Sequence, residues 1–349
     1  MDQGLAVPEA RSAELSATPG SQEPSAGVDA LAVHQAEADA KAREREAWLA
    51  RRERGSRVGI RALLVVTRVL GRRGGHLLLR VIIFYFTLFA PKPRRASRAW
   101  LARVRGESSF WAAYRHFLRF AQVALDRVFF VQGRLEPFEF DRQGTQLMHE
   151  QVHSGRGAIL LGAHFGSFEA MRAAGRSSNL PINILAHNQN ARMIATFLDE
   201  VSGGRSQVRV IEIDPEDRTY ILTVKERIEA GELVAVLGDR LGLNDRWADA
   251  EFFGAPARFP TGPYIMASVL RCPIFTVFGV FEAPNRYRLR CEPFAERVEL
   301  PRGKRDEALA AYAQRFAARL EHYAGQAPDN WFNFYDFWYH PPTPPGEPH

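Results

Sequence analysis

The stretch GAILLGAHFGSFEAM, Gly157 to Met171, decides how the rest of the chain reads. Ala158 to Leu161 is an apolar run of buried-strand length that stops at Gly162. Phe165, Gly166 and Ser167 suit a turn, with Ser167 placed to cap a new helix. His164 then sits at the carboxyl end of a strand, where open α/β sheets put their ligand crevice. Glu169, five positions on, falls in the first helical turn, close enough to reach back to the ring. A neutral imidazole needs such a carboxylate to fix its tautomer and to stabilise the imidazolium it becomes. The pattern marks His164 as a candidate general base and Glu169 as its partner. With ten histidines in the chain, such a pair also arises by chance. The strand-then-turn setting is what gives the spacing weight.

Outward from this stretch, short β-type runs at 158–161, 182–186, 208–213 and 233–237 alternate with helical patterns at 167–174, 191–201 and 217–230. That alternation predicts an α/β fold, a mostly parallel sheet flanked by helices. A helix over Gly262 to Leu270, strands over Ile274 to Phe281 and Tyr287 to Cys291, and a helix over about Arg305 to Tyr323 complete it. Upstream, Trp111, Tyr114, Phe117, Leu118, Ala121, Leu125, Val128 and Phe129 recur at threes and fours, an amphipathic helix over Phe110 to Phe130. The aromatic cluster from Trp331 to Tyr339 either closes the core or touches a bilayer interface. GxSxG, Walker A and GxGxxG patterns are absent.

VAVLGDR, Val234 to Arg240, repeats the local design of the histidine stretch, so Asp239 and Arg240 face the same crevice. Arg240 reads either as a substrate contact or as an ion-pair partner of Asp239. In EFFGAPARFPTGPYIMA, Glu251 to Ala267, Phe252 and Phe253 read as core packing. Gly262 either lets a backbone amide approach substrate or opens the following helix.

Two cysteines, Cys272 and Cys291, form no CxxC or metal pattern, which points to a reducing compartment or a cytoplasm-facing domain. The net charge of +6 is unevenly spread: Lys41 to Trp100 carries 16 Lys and Arg against 3 Glu, so the remainder sums to −7. Residues 1–36 lack apolar periodicity and a signal-peptide layout and read as a disordered tail. Residues 37–106 read as a basic, apolar, membrane-associated helical region. Glu37 to Arg54 suits a solvated or interfacial helix. Ile60 to Leu70 and Leu77 to Ala90, split by GRRGGH, are each too short for a clean span of about 20 residues. Joined, they suit one long helix or a helical pair embedded in one leaflet, with arginines snorkelling to headgroups, or else buried core helices. Basic sequence beside aliphatic runs favours anionic lipid over nucleic acid. Residues 107–340 form the catalytic domain, and 341–349 a Pro-rich tail.

GAHFGSFE resembles the H-x4-D/E motif of the lysophospholipid acyltransferase superfamily. Together with LGDRLG (Leu237 to Gly242), EFFGAPARFPTGPYIMA and PDNW (Pro328 to Trp331), in that order, it is similar to the late acyltransferases of lipid A biosynthesis. The resemblance covers about Trp48 to Trp338. It implies a glycerolipid acyltransferase-like fold and an acyltransferase that moves a fatty acyl chain from an acyl thioester, on acyl carrier protein or CoA, to a hydroxyl of a lipid A precursor-like acceptor. It further implies a His164–Glu169 dyad, an assembling role for Asp239, no cofactor or metal, and the cytoplasmic face of the cell inner membrane, with monotopic or single-pass attachment. The resemblance also makes Arg258, Thr261 and Gly262, in the family's third block, candidate substrate-binding residues. Thr261 and Tyr264 stand where glycerophosphate acyltransferases carry Glu and Arg, which argues against a glycerol-phosphate acceptor. The opening WLARRERGS…GIR also resembles relatives acting on aryl polyene or amino-acid lipids. A lipid ester or thioester hydrolase is the alternative chemistry.

Overall fold

The computed structural model describes residues 57–176, 180–187, 191, 194, 209–213, 219–242 and 245–338. The two expected tails, the helix over Glu37 to Arg54 and most of 191–201 lie outside these residues. Helices α1 (Arg57–Phe89), α2 (Pro91–Arg105) and α3 (Phe110–Gln132) precede β1 (Glu139–Gln143), α4 (Thr145–His153), β2 (Ala158–Gly162), α5 (Phe168–Arg176), β3 (Ile182–His187) and β4 (Arg209–Ile213). Then come α6 (Tyr220–Glu229), β5 (Leu233–Leu237), β6 (Trp247–Phe252), β7 (Ala255–Pro260), α7 (Gly262–Leu270), β8 (Ile274–Glu282), β9 (Arg286–Ala295) and α8 (Arg305–Gln326).

Seven strands form one sheet in the order β1-β9-β8-β2-β5-β3-β4. All neighbours run parallel except β8 and β9. Period-two alternation divides the core. Ile159, Leu161, Val234, Val236 and Phe278 face one layer with Phe316 and Trp331, while Ala158, Leu160, Leu233, Ala235 and Val277 face the other with α3 and α5. The helical and strand runs anticipated after Gly157 are present wherever residues are described. β1, α4 and the β6–β7 hairpin were not anticipated. β1 is a charged edge strand, EFDRQ, with no alternation to read. The hairpin turns at Phe253 and Gly254, both at positive φ (50° and 72°), and a phenylalanine gives no sequence signal for such a turn.

The break between the two N-terminal apolar runs falls within GRRGGH, as expected, but is confined to one residue. GRRGGH is helical, and only Gly71 leaves helical geometry (φ 63°, ψ −169°). No single helix among the described residues is long and apolar enough to cross a membrane; Val69–Phe89 with Pro91–Arg105 passes only as a pair bent by 97°. One side of α1 packs on α3, with Phe86 edge-on to Phe117 at 5.2 Å. Arg72, in the segment expected to snorkel, instead grips buried Asp126 of α3 side-on through Nε and Nη2, at 2.7 and 2.9 Å. The other side is bare: Leu77, Val81, Tyr85 and Phe89, spaced by four, are each more than 60% exposed, at 65, 67, 64 and 67%.

Candidate active site

The parallel register of β2 and β5 builds the site. Gly162 pairs with Leu237, so the residues two beyond each strand, His164 and Asp239, arrive side by side. His164 Nδ1–H donates to Asp239 Oδ1 at 2.8 Å, and the His164 backbone N–H reaches both carboxylate oxygens at 3.0 and 3.1 Å. Trp331 Nε1–H donates to Oδ2 at 3.0 Å. Asp239 is fully buried and the His164 side chain 30% exposed. Burial works to raise the aspartate's pKa. The charge and hydrogen bond of His164, then Arg240 and the Trp331 indole, outweigh it and bring the carboxyl down to about 2. Burial also lowers the imidazole's pKa; Arg240 adds to this, Asp239 opposes it, and Arg127 acts with Arg240. An ionised carboxylate on Nδ1 fixes the tautomer that leaves Nε2 as an unprotonated base.

The expected bond from Glu169 to the imidazole is corrected by this arrangement. Glu169 does lie in the first turn of α5, and Ser167 caps that helix by accepting from Ala170 N at 3.1 Å. The Glu169 carboxylate, however, pairs with Arg127 Nε of α3 at 3.2 Å and takes a 3.4 Å contact from the Ser167 hydroxyl. The cause is the turn. Gly166 adopts φ 64° so closely against β8 that a Cβ there would lie 1.9 Å from the Gly279 carbonyl oxygen. Ser167 N–H then donates to that same carbonyl at 2.7 Å, which launches α5 with Glu169 toward α3.

Arg240 makes no ion pair with Asp239 among the described residues. One guanidinium N–H donates to the Phe332 carbonyl at 2.5 Å, and the group lies 5.6 Å from the Tyr335 ring centre. Arg258 lies on the hairpin over the Trp247 ring, 3.8 Å from Asp249. Thr261 is buried and hydrogen-bonded to the Arg246 carbonyl. Gly262 opens α7 with its Cβ direction empty. The structure thus brings His164, Asp239 and Arg240 together, while Arg258 lies on the β6–β7 hairpin and Thr261 and Gly262 at the start of α7. Phe252 is fully buried against Trp100, Phe259 and Trp331, as core packing requires.

A segment that sequence reading gave no site role, PDNW and the aromatic cluster it opens, closes the site. Gly166 N–H donates to Asn330 O and Phe332 N–H to His164 O, both at 2.8 Å. The Asn330 side chain bonds both the N–H and the carbonyl of Phe281, at 2.8 and 3.1 Å. His116, also missed, lies fully buried on α3 with both ring nitrogens bonded. A histidine between Ala113 and Phe117 on an apolar stripe was the available signal. Among the described residues no group of three His, Cys, Asp or Glu is placed to hold a metal ion. Cys272 and Cys291 are both buried and free.

Comparison with curated proteins gives no match. The family model described as bacterial lipid A biosynthesis acyltransferase matches residues 115–340, from inside α3 through the segment carrying Trp331. The chain belongs to this acyltransferase family, whose activity is of the lipid A type.

Proposed function

We propose that the protein transfers a fatty acyl chain from an acyl thioester to a hydroxyl of a lipid A precursor-like acceptor, with His164 as general base. The observation that carries this reading is the His164 Nδ1–Asp239 bond. It leaves Nε2 as a proton acceptor on a partly exposed ring at the carboxyl end of β2. Nε2 takes the acceptor's proton as the oxygen attacks the thioester carbonyl. The tetrahedral intermediate then expels the thiolate, which recovers the proton from the imidazolium. Asp239 stabilises that imidazolium, and burial, helped by Arg240 and Arg127, favours the neutral resting ring. Glu169 acts at one remove, by balancing Arg127.

The bare stripe of α1 supports attachment to a single leaflet, the bent α1–α2 pair lying in the interface rather than spanning it. We place it at the cytoplasmic face of the inner membrane, where both an acyl thioester and a lipid precursor are available. Acyl carrier protein is the donor we favour. Of the arginines on α2, Arg94 caps α1 through the Thr87 and Leu88 carbonyls, at 2.6 and 2.8 Å. Arg103 lies over Trp338, 4.4 Å from its ring centre, and Arg105 pairs with Asp329. Arg95 is exposed and best placed to meet an acidic carrier.

Purified protein on anionic vesicles, given labelled acyl carrier protein and a lipid A precursor, should yield acylated precursor. His164→Ala should abolish transfer, by about 1,000-fold or more, with vesicle binding intact. Retained transfer would remove His164 from the mechanism. Free fatty acid formed without acylated lipid would establish a hydrolase instead.

A further inference from the structure

We propose that Trp331 is a positioning residue for the catalytic pair: its indole N–H fixes the carboxylate that orients His164, and a buried Ser97–His116 pair holds Trp331 in place. This rests on His164 being the base. Asp239 has no access to water, so every lone pair not used by the histidine needs a protein donor. The indole N–H supplies one on Oδ2, leaving Oδ1 to face Nδ1. Without it the carboxylate is held only by His164 itself, whose backbone N–H is shared between both oxygens.

The indole is in turn braced on two sides. Its ring is fully buried, edge-on to Trp100 at 4.5 Å and to Phe337 at 4.8 Å. Its carbonyl accepts from His116 Nε2–H at 2.8 Å. A carbonyl can only accept, so His116 carries its proton on Nε2 and takes a second bond, 2.9 Å, from the Ser97 hydroxyl through Nδ1. Burial pushes the His116 pKa down to about 4, against smaller upward effects of the Trp331 carbonyl and Asp329, so the brace stays neutral around pH 7. A chain of contacts therefore runs from α2 through α3 and Trp331 to the base. The charged groups facing His164 are Asp239, Arg240 and Arg127, with Glu169 behind Arg127.

Trp331→Phe keeps the packed ring and removes only the N–H. Its kcat should fall roughly 10- to 100-fold with donor KM unchanged. A carboxylate relieved of one donor attracts the imidazole proton more strongly. The acid limb of kcat/KM, and the His164 pKa read by NMR, should therefore both move upward. His116→Gln can still donate to the Trp331 carbonyl and should resemble wild type, whereas His116→Leu should behave like Trp331→Phe. A folded Trp331→Phe whose His164 titrates as before overturns the proposal. The wild-type protein gives a test that needs no variant at position 331. With its six tryptophans labelled with ¹⁵N, one indole N–H should titrate in step with His164 and cease to do so in His164→Ala. No titrating indole overturns the proposal. Absence of acyl transfer in wild type would sink the proposed function while leaving this coupling measurable.

Discussion

Two aspartates, Asp126 and Asp239, are equally buried, yet they anchor regions that do different work. Asp126 joins α1, α3 and the sheet. Arg72 holds both its oxygens, Tyr287 donates its hydroxyl to Oδ2 at 2.8 Å, and His76 stands 3.6 Å from Oδ1. Its chief partner is a guanidinium that never releases its proton, so the node is permanent. Asp239 likewise collects several donors, but one of them is an imidazole open on its far side. Under the proposed mechanism, the partner that can gain and lose a proton separates a carboxylate serving the base from a structural one, although burial is the same for both.

Substitution should separate the two. Asp239→Asn leaves the imidazole without an anionic partner, and acyl transfer per folded molecule should fall by about 100- to 1,000-fold. Asp126→Asn should do the reverse: stability falls by about 3 kcal/mol as a buried charge pair is broken, and activity per folded molecule is retained. Equal activity losses in the two variants would erase the contrast. Next in size, Val81→Ser, Tyr85→Ser and Phe89→Ser together should weaken binding to anionic vesicles by about 100-fold, while folding is unaffected because these side chains face outward. Unchanged vesicle binding would move the membrane contact elsewhere.

Acid should report on the brace. The His116 pKa falls to about 4 on folding, so between 6.5 and 4 the unfolded chain takes up a proton that the folded chain refuses. Stability should therefore decline as pH drops through that window, by up to about 3 kcal/mol from this group. His164, also lowered, acts in the same direction. The depressed pKa of Asp239 stabilises above 3.8, and that contribution is lost only as pH falls toward about 2. Urea melts at pH 7 and 4.5 should show the first decline, flattened in His116→Gln. The smallest effect belongs to Glu169→Gln. The Arg127–Glu169 pair is partly exposed, at 38 and 20%, and its loss should change transfer only a few-fold. A loss as large as that of Asp239→Asn would restore Glu169 as the direct partner of the imidazole.

The sequence by itself determined what is local. An apolar run ended by Gly162, a histidine two residues later and a capping Ser167 follow from strand burial and helix-end hydrogen bonding, both read within one turn of chain. The repeat of that design at Val234 to Arg240 even placed Asp239 in the same crevice. Tertiary structure alone decided which groups touch. Asp239, 75 residues away, beats Glu169, five away, because parallel register aligns the two strand ends while the Gly166 turn carries the nearer carboxylate toward Arg127. Trp331, 92 residues from Asp239, turns from an aromatic core residue into a hydrogen-bond donor for the same reason. Periodicity records which face of an element is buried, but the partner of a buried polar atom is fixed only when separate elements are brought together.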